Sequence, residues 1–359
     1  MFKVEFQMNI LAAVRHPGPA EAMVPVIRLL RSQGHQVSLI ALDNNSIETK
    51  TLGGSAAIFI KNKIQYIDML DFDPSCDLRD VGSECTNNLI DRYKPDRILV
   101  GCSTQEGKLI KCIENSLIIA GSNHSITTLQ LVEMWGCWSS RHESLYPDRF
   151  AVLDEFTKNV VLKMGGPKER IKITGNPSFD AFYHDNPNGC IQNKCTSVGN
   201  RNFVYIGQVS PDNFTTLGWA IKSLGANDKV AFLKHPRDLR NYDDLLAKAG
   251  DKLWATDLTG GDLLKQADIC LTHSSTMGIK AALSGVPTVN FMLDNDLVEV
   301  RTICKGFPLV LAGGSYKADS LEVFQRLLKQ ELVVDLSKLR SILNIDGRSA
   351  YRVVEYLLS

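Results

Sequence analysis

Apolar and polar positions along the chain fall into two alternating kinds of segment. Short, nearly continuous apolar runs recur at Asn9–Val14, Gln36–Leu42, Arg97–Gly101, Ile126–Val132 and Phe150–Leu153. They recur again at Phe203–Ile206, Val230–Leu233, Leu253–Thr256, Ile269–Thr272 and Val286–Phe291. A strand covered on both faces by helices reads this way, whereas a half-exposed strand alternates. Helical patterns lie between the runs: Ala20–Gln33, which ends at Gly34, then Gly82–Tyr93, a stretch through Met164, Thr215–Leu224, Asp243–Lys248, Asp262–Gln266 and Ser320–Lys329. Lys108–Ala120 reads as a helix followed by a strand. The repeated strand–loop–helix–strand unit predicts an α/β protein built on doubly wound, Rossmann-like parallel sheets.

From Asn186 to Asn202 the sequence becomes NPNGCIQNKCTSVGNRN, rich in turn residues and poor in core formers. A linker fits that composition. It predicts a first domain over 1–185, a linker over 186–202, a second domain over 203–335 and a helical tail over 336–359, interrupted near Asp346-Gly347. Two such sheets are expected to face each other across a cleft. Open parallel sheets bind ligands beyond the carboxyl ends of their strands, so residues just after strands are the candidates.

The stretch Asp268–Phe291 concentrates this logic. A strand, Ile269–Thr272, runs into Ser274, Ser275 and Thr276 where a helix begins; Gly285 ends that helix and Val286–Phe291 is the next strand. A hydroxyl-rich helix start offers free backbone N–H groups and the positive end of the helix dipole, which suits a phosphate. The same residues also serve as plain N-caps, and both readings stand at this point. Lys234-His235-Pro236-Arg237 follows Val230–Leu233, so His235 can donate to a phosphate oxygen with Lys234 beside it. Gly207-Gln208 follows the first strand of the same half. In the first half the acids after strands are Glu133, Asp154 and Glu106, and each is a candidate general base. Glu133 leads because Met134, Trp135 and Trp138 surround it, which raises a carboxylate's pKa and offers aromatic faces to a sugar ring. Arg15 and His16, in the loop after the first strand, are candidates to meet a phosphate. That loop, RHPGPAEA, is not a dinucleotide fingerprint.

At 359 residues the chain suits two domains of ~150–180 residues. Lysine plus arginine equals aspartate plus glutamate at 40 each, so no net field recruits nucleic acid. The nine cysteines are odd in number and none are at CxxC spacing, which points to a reducing, cytoplasmic setting. Cys190 and Cys195, in the linker, could chelate or cross-link. No metal motif stands out: Asp71-Phe72-Asp73 has DxD form but reads as a turn. The N-terminal apolar run is too short for a membrane span.

These residues resemble the two-domain GT-B superfamily of glycosyltransferases and the related UDP-N-acetylglucosamine 2-epimerases. Val152–Phe182, with GPKERIKITGNPSFDAF, is similar to the interdomain hinge of the epimerases, and ADICLTHSSTMGIKAALSGVPTVNF to their diphosphate-receiving segment. Two departures weigh against epimerase chemistry. The ribose-holding glutamate of that helix is replaced at Ile279 and Lys280, and the epimerases' His-Arg-Arg-Glu-Asn segment by Gly207-Gln208-Val209-Ser210. The pair KHP and HSST is instead similar to the His-Pro and Ser-Ser/Thr motifs of bacterial sialyltransferases, Kdo transferases and glycerophosphate polymerases, although their acidic-acidic-Gly motif is missing. The resemblance implies a metal-independent glycosyltransferase with a UDP- or CMP/CDP-linked sugar as donor and no cofactor. Its acceptor would be a saccharide or lipid-linked molecule, in surface polysaccharide or glycoconjugate synthesis. By that resemblance His235, Ser274 and Ser275 bind the donor phosphate. A sugar-nucleotide epimerase or hydrolase, a non-catalytic binding protein, a homodimer and peripheral membrane contact stay open.

Overall fold

The computed structural model describes residues 7–42, 54–78, 80–102, 112–138, 146–185, 200–235, 238–256, 260–293 and 297–359. Glu106, Cys190, Cys195, Pro236 and Arg237 lie outside them. The chain divides into two compact units, Met1–His184 with Leu343–Ser359, and Asp185–Ile342.

The first unit is built on β1 (Asn9–Ala13), β2 (Gln36–Ala41), β3 (Ile67–Asp68), β4 (Arg97–Gly101), β5 (Thr127–Val132), β6 (Arg149–Val152) and β7 (Ile171–Ile173). These seven strands are ordered β3-β2-β1-β4-β5-β6-β7, with every pairing parallel. Within β1 the side-chain period of two sorts the core. Ile10 and Ala12 pack with the Pro17–Ser32 and Ser349–Leu358 helices, while Leu11 and Ala13 pack with the Ser83–Tyr93 and Ile113–Asn123 helices. All four are at most 1% exposed, which explains the unbroken apolar run.

The second unit carries β8 (Asn202–Ile206), β9 (Lys229–Leu233), β10 (Leu253–Ala255), β11 (Ile269–Thr272), β12 (Thr288–Phe291) and β13 (Ser315–Ala318). Its order is β10-β9-β8-β11-β12-β13, again wholly parallel. Phe203 and Tyr205 face one apolar layer, Val204 and Ile206 the other. In both sheets the winding reverses beside the first strand, between β1 and β4 and between β8 and β11. Ligands of such sheets bind at these reversal points.

Four expectations need correction. Within Lys108–Ala120 the described residues form no strand; they begin a single helix, Ile113–Asn123, whose LIIA run is apolar because the helix is buried nearly all round. Strand β13 and the Val298–Cys304 helix, absent from the sequence reading, complete the second unit. The tail over 336–359 is divided: Leu336–Ile342 stays with the second unit and Leu343–Ser359 joins the first. Asp71 and Phe72 end a short helix, Met69–Phe72, that Asp68 caps through Leu70 N–H, and only Asp73 lies beyond it.

Side chains of the first unit seal both ends of the Ser349–Leu358 helix. The buried Asp180 carboxylate accepts from the N–H groups of Ser349 (3.1 Å) and Ala350 (2.9 Å). At the other end Arg97 Nε donates to the Leu357 carbonyl at 3.2 Å, and Arg149 reaches the Tyr356 carbonyl. Anion at the start and cations at the finish complement the helix dipole. Gly175, at φ +82°, passes so close that a Cβ there would clash with Ser349 Oγ.

Candidate functional site

The second unit's reversal point is built from the ends of β8 and β11. Gly207 follows β8, and its N–H donates to the Leu233 carbonyl at 2.9 Å. A Cβ there would come within 3.2 Å of that oxygen and 3.1 Å of the Phe232 ring, so a bare backbone fits. Gln208 then reaches across to β11. Its Oε1 accepts from Ser274 N–H at 2.6 Å and from Ser274 Oγ at 3.2 Å. Ser275, at φ −70° and ψ 143°, has N-cap geometry, and its Oγ accepts from Met277 N–H at 3.2 Å. The helix it caps runs Thr276–Leu283 and is followed by Gly285 at φ +79°. Ser274–Met277 are half-buried, so this helix start meets solvent. Capping, one of the two readings of this turn, is therefore what Ser275 does in the free protein. Ile279 is fully buried in the same helix and cannot reach a ligand.

Behind this surface lies a polar network that the sequence reading missed. His273, fully buried, places Nε2 3.1 Å from Thr216 Oγ1 and 3.3 Å from the Tyr205 hydroxyl. The His273 carbonyl accepts from the Asn290 side chain. Asn213 donates to the Gln208 carbonyl and lies 3.4 Å from both Asp238 and the Tyr242 hydroxyl. Asp238 accepts from Tyr242 OH at 2.6 Å and from Arg240 Nε and Nη2 at 2.6 and 2.7 Å. Burial opposes the Asp238 charge, yet the Arg240 and Tyr242 hydrogen bonds outweigh it and hold the carboxyl well below its usual range. Burial and the Asp238 bond push the Tyr242 phenol up to about 12. Charge-assisted bonds of this kind make a stiff scaffold. It fixes Gln208, and through Gln208 the Ser274 turn. Lys234 is exposed and donates to the Arg240 carbonyl at 2.6 Å; His235 is half-buried, and its carbonyl accepts from Asp238 N–H at 2.9 Å.

In the first unit Glu133 follows β5 and is 4% exposed. It sits against the first turn of the Pro17–Ser32 helix, where a Cβ on Gly18 would be 3.6 Å from Oε1. Cys137 Sγ is 4.0 Å from Oε2, and the Glu133 carbonyl accepts from Asn176 Nδ2 at 3.0 Å. Burial pushes the Glu133 carboxyl well above its ordinary value, with the nearby Cys102 and Glu114 adding to the rise. Burial thus favours the neutral, protonated carboxyl in the free protein.

Other first-unit candidates have structural tasks. Asp154 caps the Glu155–Lys163 helix: Oδ1 accepts from Thr157 N–H and Oγ1, both at 2.7 Å, and Oδ2 from Trp135 Nε1 at 2.8 Å. Burial raises its pKa to about 6 against these bonds. Arg15 is 2% exposed, and its N–H donates to Glu114 Oε1 at 2.9 Å, while Nε lies 3.9 Å from Oε2. It is a buried partner of Glu114, a residue the sequence reading passed over, and is not presented to solvent. Trp135 and Trp138 are 2% and 1% exposed. Trp138 packs edge-on against Phe150 at 5.4 Å, so neither ring forms the expected open platform for a sugar.

No protein-family model matches the chain, and no curated protein matches it in sequence. Solved structures do match along nearly its whole length. It is similar to the S. aureus MnaA–UDP co-structure (TM-score 0.69, 12% identity, 97% of this chain and 95% of that one). It is similar also to a Neisseria meningitidis UDP-GlcNAc 2-epimerase bound to UDP-GlcNAc (TM-score 0.61, 16% identity, 98% and 100%). The kitacinnamycin glycotransferase matches with TM-score 0.60 and 14% identity over 97% and 99%. The fold is GT-B. At these identities the match establishes architecture and leaves chemistry to the residues. No helix among the described residues is long and apolar enough to cross a membrane.

Proposed function

We propose that the chain is a GT-B glycosyltransferase that takes a sugar from a nucleotide-linked donor. The second unit binds the donor, with its phosphate at the start of the Thr276–Leu283 helix and with His235, Lys234, Gly207 and Gln208 around it. The first unit binds the acceptor beside Glu133, which removes a proton from the attacking hydroxyl. Hydroxyl and N–H donors at the helix start stabilise the leaving phosphate. The observation that supports this reading most is the Gln208–Ser274 bond across the β8/β11 reversal point, which fixes a half-buried helix start where this fold places ligands. Supporting transfer over epimerisation, Ile279 is buried in the core and offers no carboxylate to a ribose.

A second reading, a sugar-nucleotide epimerase or hydrolase, is favoured by the similar structures named as UDP-GlcNAc 2-epimerases. One experiment separates the two. The protein is screened by thermal shift against UDP, CDP, CMP, GDP and dTDP, and the sugar nucleotide of the best ligand is then incubated without acceptor. Transfer predicts a stabilising nucleotide and little turnover until an acceptor is added. Release of nucleotide with a free or epimerised sugar decides for the second reading. No stabilisation by any nucleotide overturns both.

A further inference from the structure

The segment after β3 brings together a carboxylate and two thiols that the proposed reaction does not use. Asp73, Cys76 and Cys85 each offer one ligand atom, and these atoms all lie within 4.8 Å of one another. Asp73 and Cys76 follow the short Met69–Phe72 helix, whereas Cys85 stands in the first turn of the Ser83–Tyr93 helix. Helix and turn hold the three in place. Asp73 Oδ1 accepts from Ser75 N–H at 3.0 Å and from Ser75 Oγ at 2.7 Å, and Cys76 N–H donates to the Asp73 carbonyl at 3.0 Å. Ser116 Oγ ties the Val81 carbonyl to the neighbouring helix at 2.8 Å.

We propose that Asp73, Cys76 and Cys85 bind a thiophilic divalent cation, with Zn²⁺ the ion best suited to two sulfurs and one carboxylate oxygen. In a tetrahedral zinc site, sulfur at ~2.3 Å and oxygen at ~2.0 Å from the ion stand about 3.5–3.8 Å apart. The present spacing, within 4.8 Å, exceeds that value by at most about 1 Å, which binding has to close. Asp73 and Cys76 are half-buried, which leaves a route from solvent and room for water as fourth ligand. The softness of the ligands disfavours Mg²⁺ and Ca²⁺, which take oxygen. Two thiolates and a carboxylate repel one another without a cation, so binding expels the thiol protons. The bound ion would staple the loop of edge strand β3 to the Ser83–Tyr93 helix.

The test is a Co²⁺ titration of the full chain, reduced and metal-free, followed by absorbance. The expected result is one Co²⁺ per chain with sulfur-to-cobalt charge-transfer and tetrahedral ligand-field bands, displaced by Zn²⁺, and release of about two protons per ion. Cys85→Ser removes the bands. Asp73→Asn, which leaves the buried sulfur in place, weakens binding while the circular dichroism stays that of the parent. A Cys190→Ser/Cys195→Ser protein keeps the bands. Absence of thiolate bands, their survival in both single variants, or their loss in the linker double variant overturns the proposal. So does recovery of Cys76 and Cys85 as a disulfide-linked peptide from protein kept under reductant.

Discussion

Ser275 allows capping and phosphate binding to be separated by one substitution. Aspartate is as good an N-cap as serine, and its charge suits the positive end of a helix. Ser275→Asp therefore leaves the free protein as stable as the parent, or a few tenths of a kcal/mol more so. A phosphate at the same N–H groups would stand about 5 Å from the new carboxylate, which at an effective dielectric of ~20 costs about 3 kcal/mol. Affinity should then fall by roughly 10²-fold. Ligand at ~100 times its dissociation constant stabilises by about 2.7 kcal/mol, and after the substitution by ~0.4 kcal/mol. For a unit of this size each kcal/mol moves the midpoint by ~2–4 °C, so a nucleotide-induced shift of about 5–10 °C should shrink to ~1 °C. The assay is thermal unfolding with and without the best nucleotide from the panel. Ser275→Gly is the companion: it keeps most of the capping yet lacks the hydroxyl. A Ser275→Asp protein that retains the full nucleotide shift refutes phosphate binding at this helix start.

Three further outcomes follow from geometry. Glu133→Gln should abolish turnover and change the pH dependence of stability. The folded pKa of Glu133 lies above its unfolded value near ~4.3, so the parent loses stability as pH rises from there towards the folded pKa. The advantage of the Glu133→Gln protein should therefore grow over that window, and parallel urea-midpoint profiles would argue against a buried, reluctant carboxyl. Asp180→Ala strips two buried N–H groups of their acceptor and should cost about 2–4 kcal/mol in urea unfolding. It should also expose the C-terminal helix to limited proteolysis; an unchanged cleavage pattern would count against that anchoring. Gly175→Ala places a methyl against Ser349 and forces alanine to positive φ, so a loss of at least ~1 kcal/mol is expected. A neutral result by denaturant titration would mean the turn relaxes freely.

The central strands of both sheets were readable because they are buried on both faces, which leaves runs such as Ile269–Thr272 free of charged residues. Helix ends were readable where a glycine must adopt positive φ, as at Gly34 and Gly285. Ile113–Asn123 misled because a helix buried nearly all round loses the 3.6-residue pattern. The short strand β13 carries Tyr316 and Lys317 on its half-exposed and exposed positions, so its apolar signal is thin. Site residues after strands could be shortlisted, yet their tasks depend on partners far along the chain. Gln208 and Ser274 are 66 positions apart, and Arg15 and Glu114 are 99. Asp154 illustrates the difference: its cap partner Thr157 is local and foreseeable, whereas its bond to Trp135, 19 residues back, is not. His273 lay inside a motif already marked, but only the neighbouring Tyr205 and Thr216 reveal that it faces inward.

The return of Leu343–Ser359 to the first unit has a consequence for biosynthesis. A ribosome delivers the chain from its amino end, and domains close as soon as their residues have emerged. Residues 185–342 are all out before the Ser349–Leu358 helix is made, so the rear half can finish first while the front half waits with one apolar layer only partly covered, by the Pro17–Ser32 helix. The nascent front half is thus the stage most in need of chaperone cover.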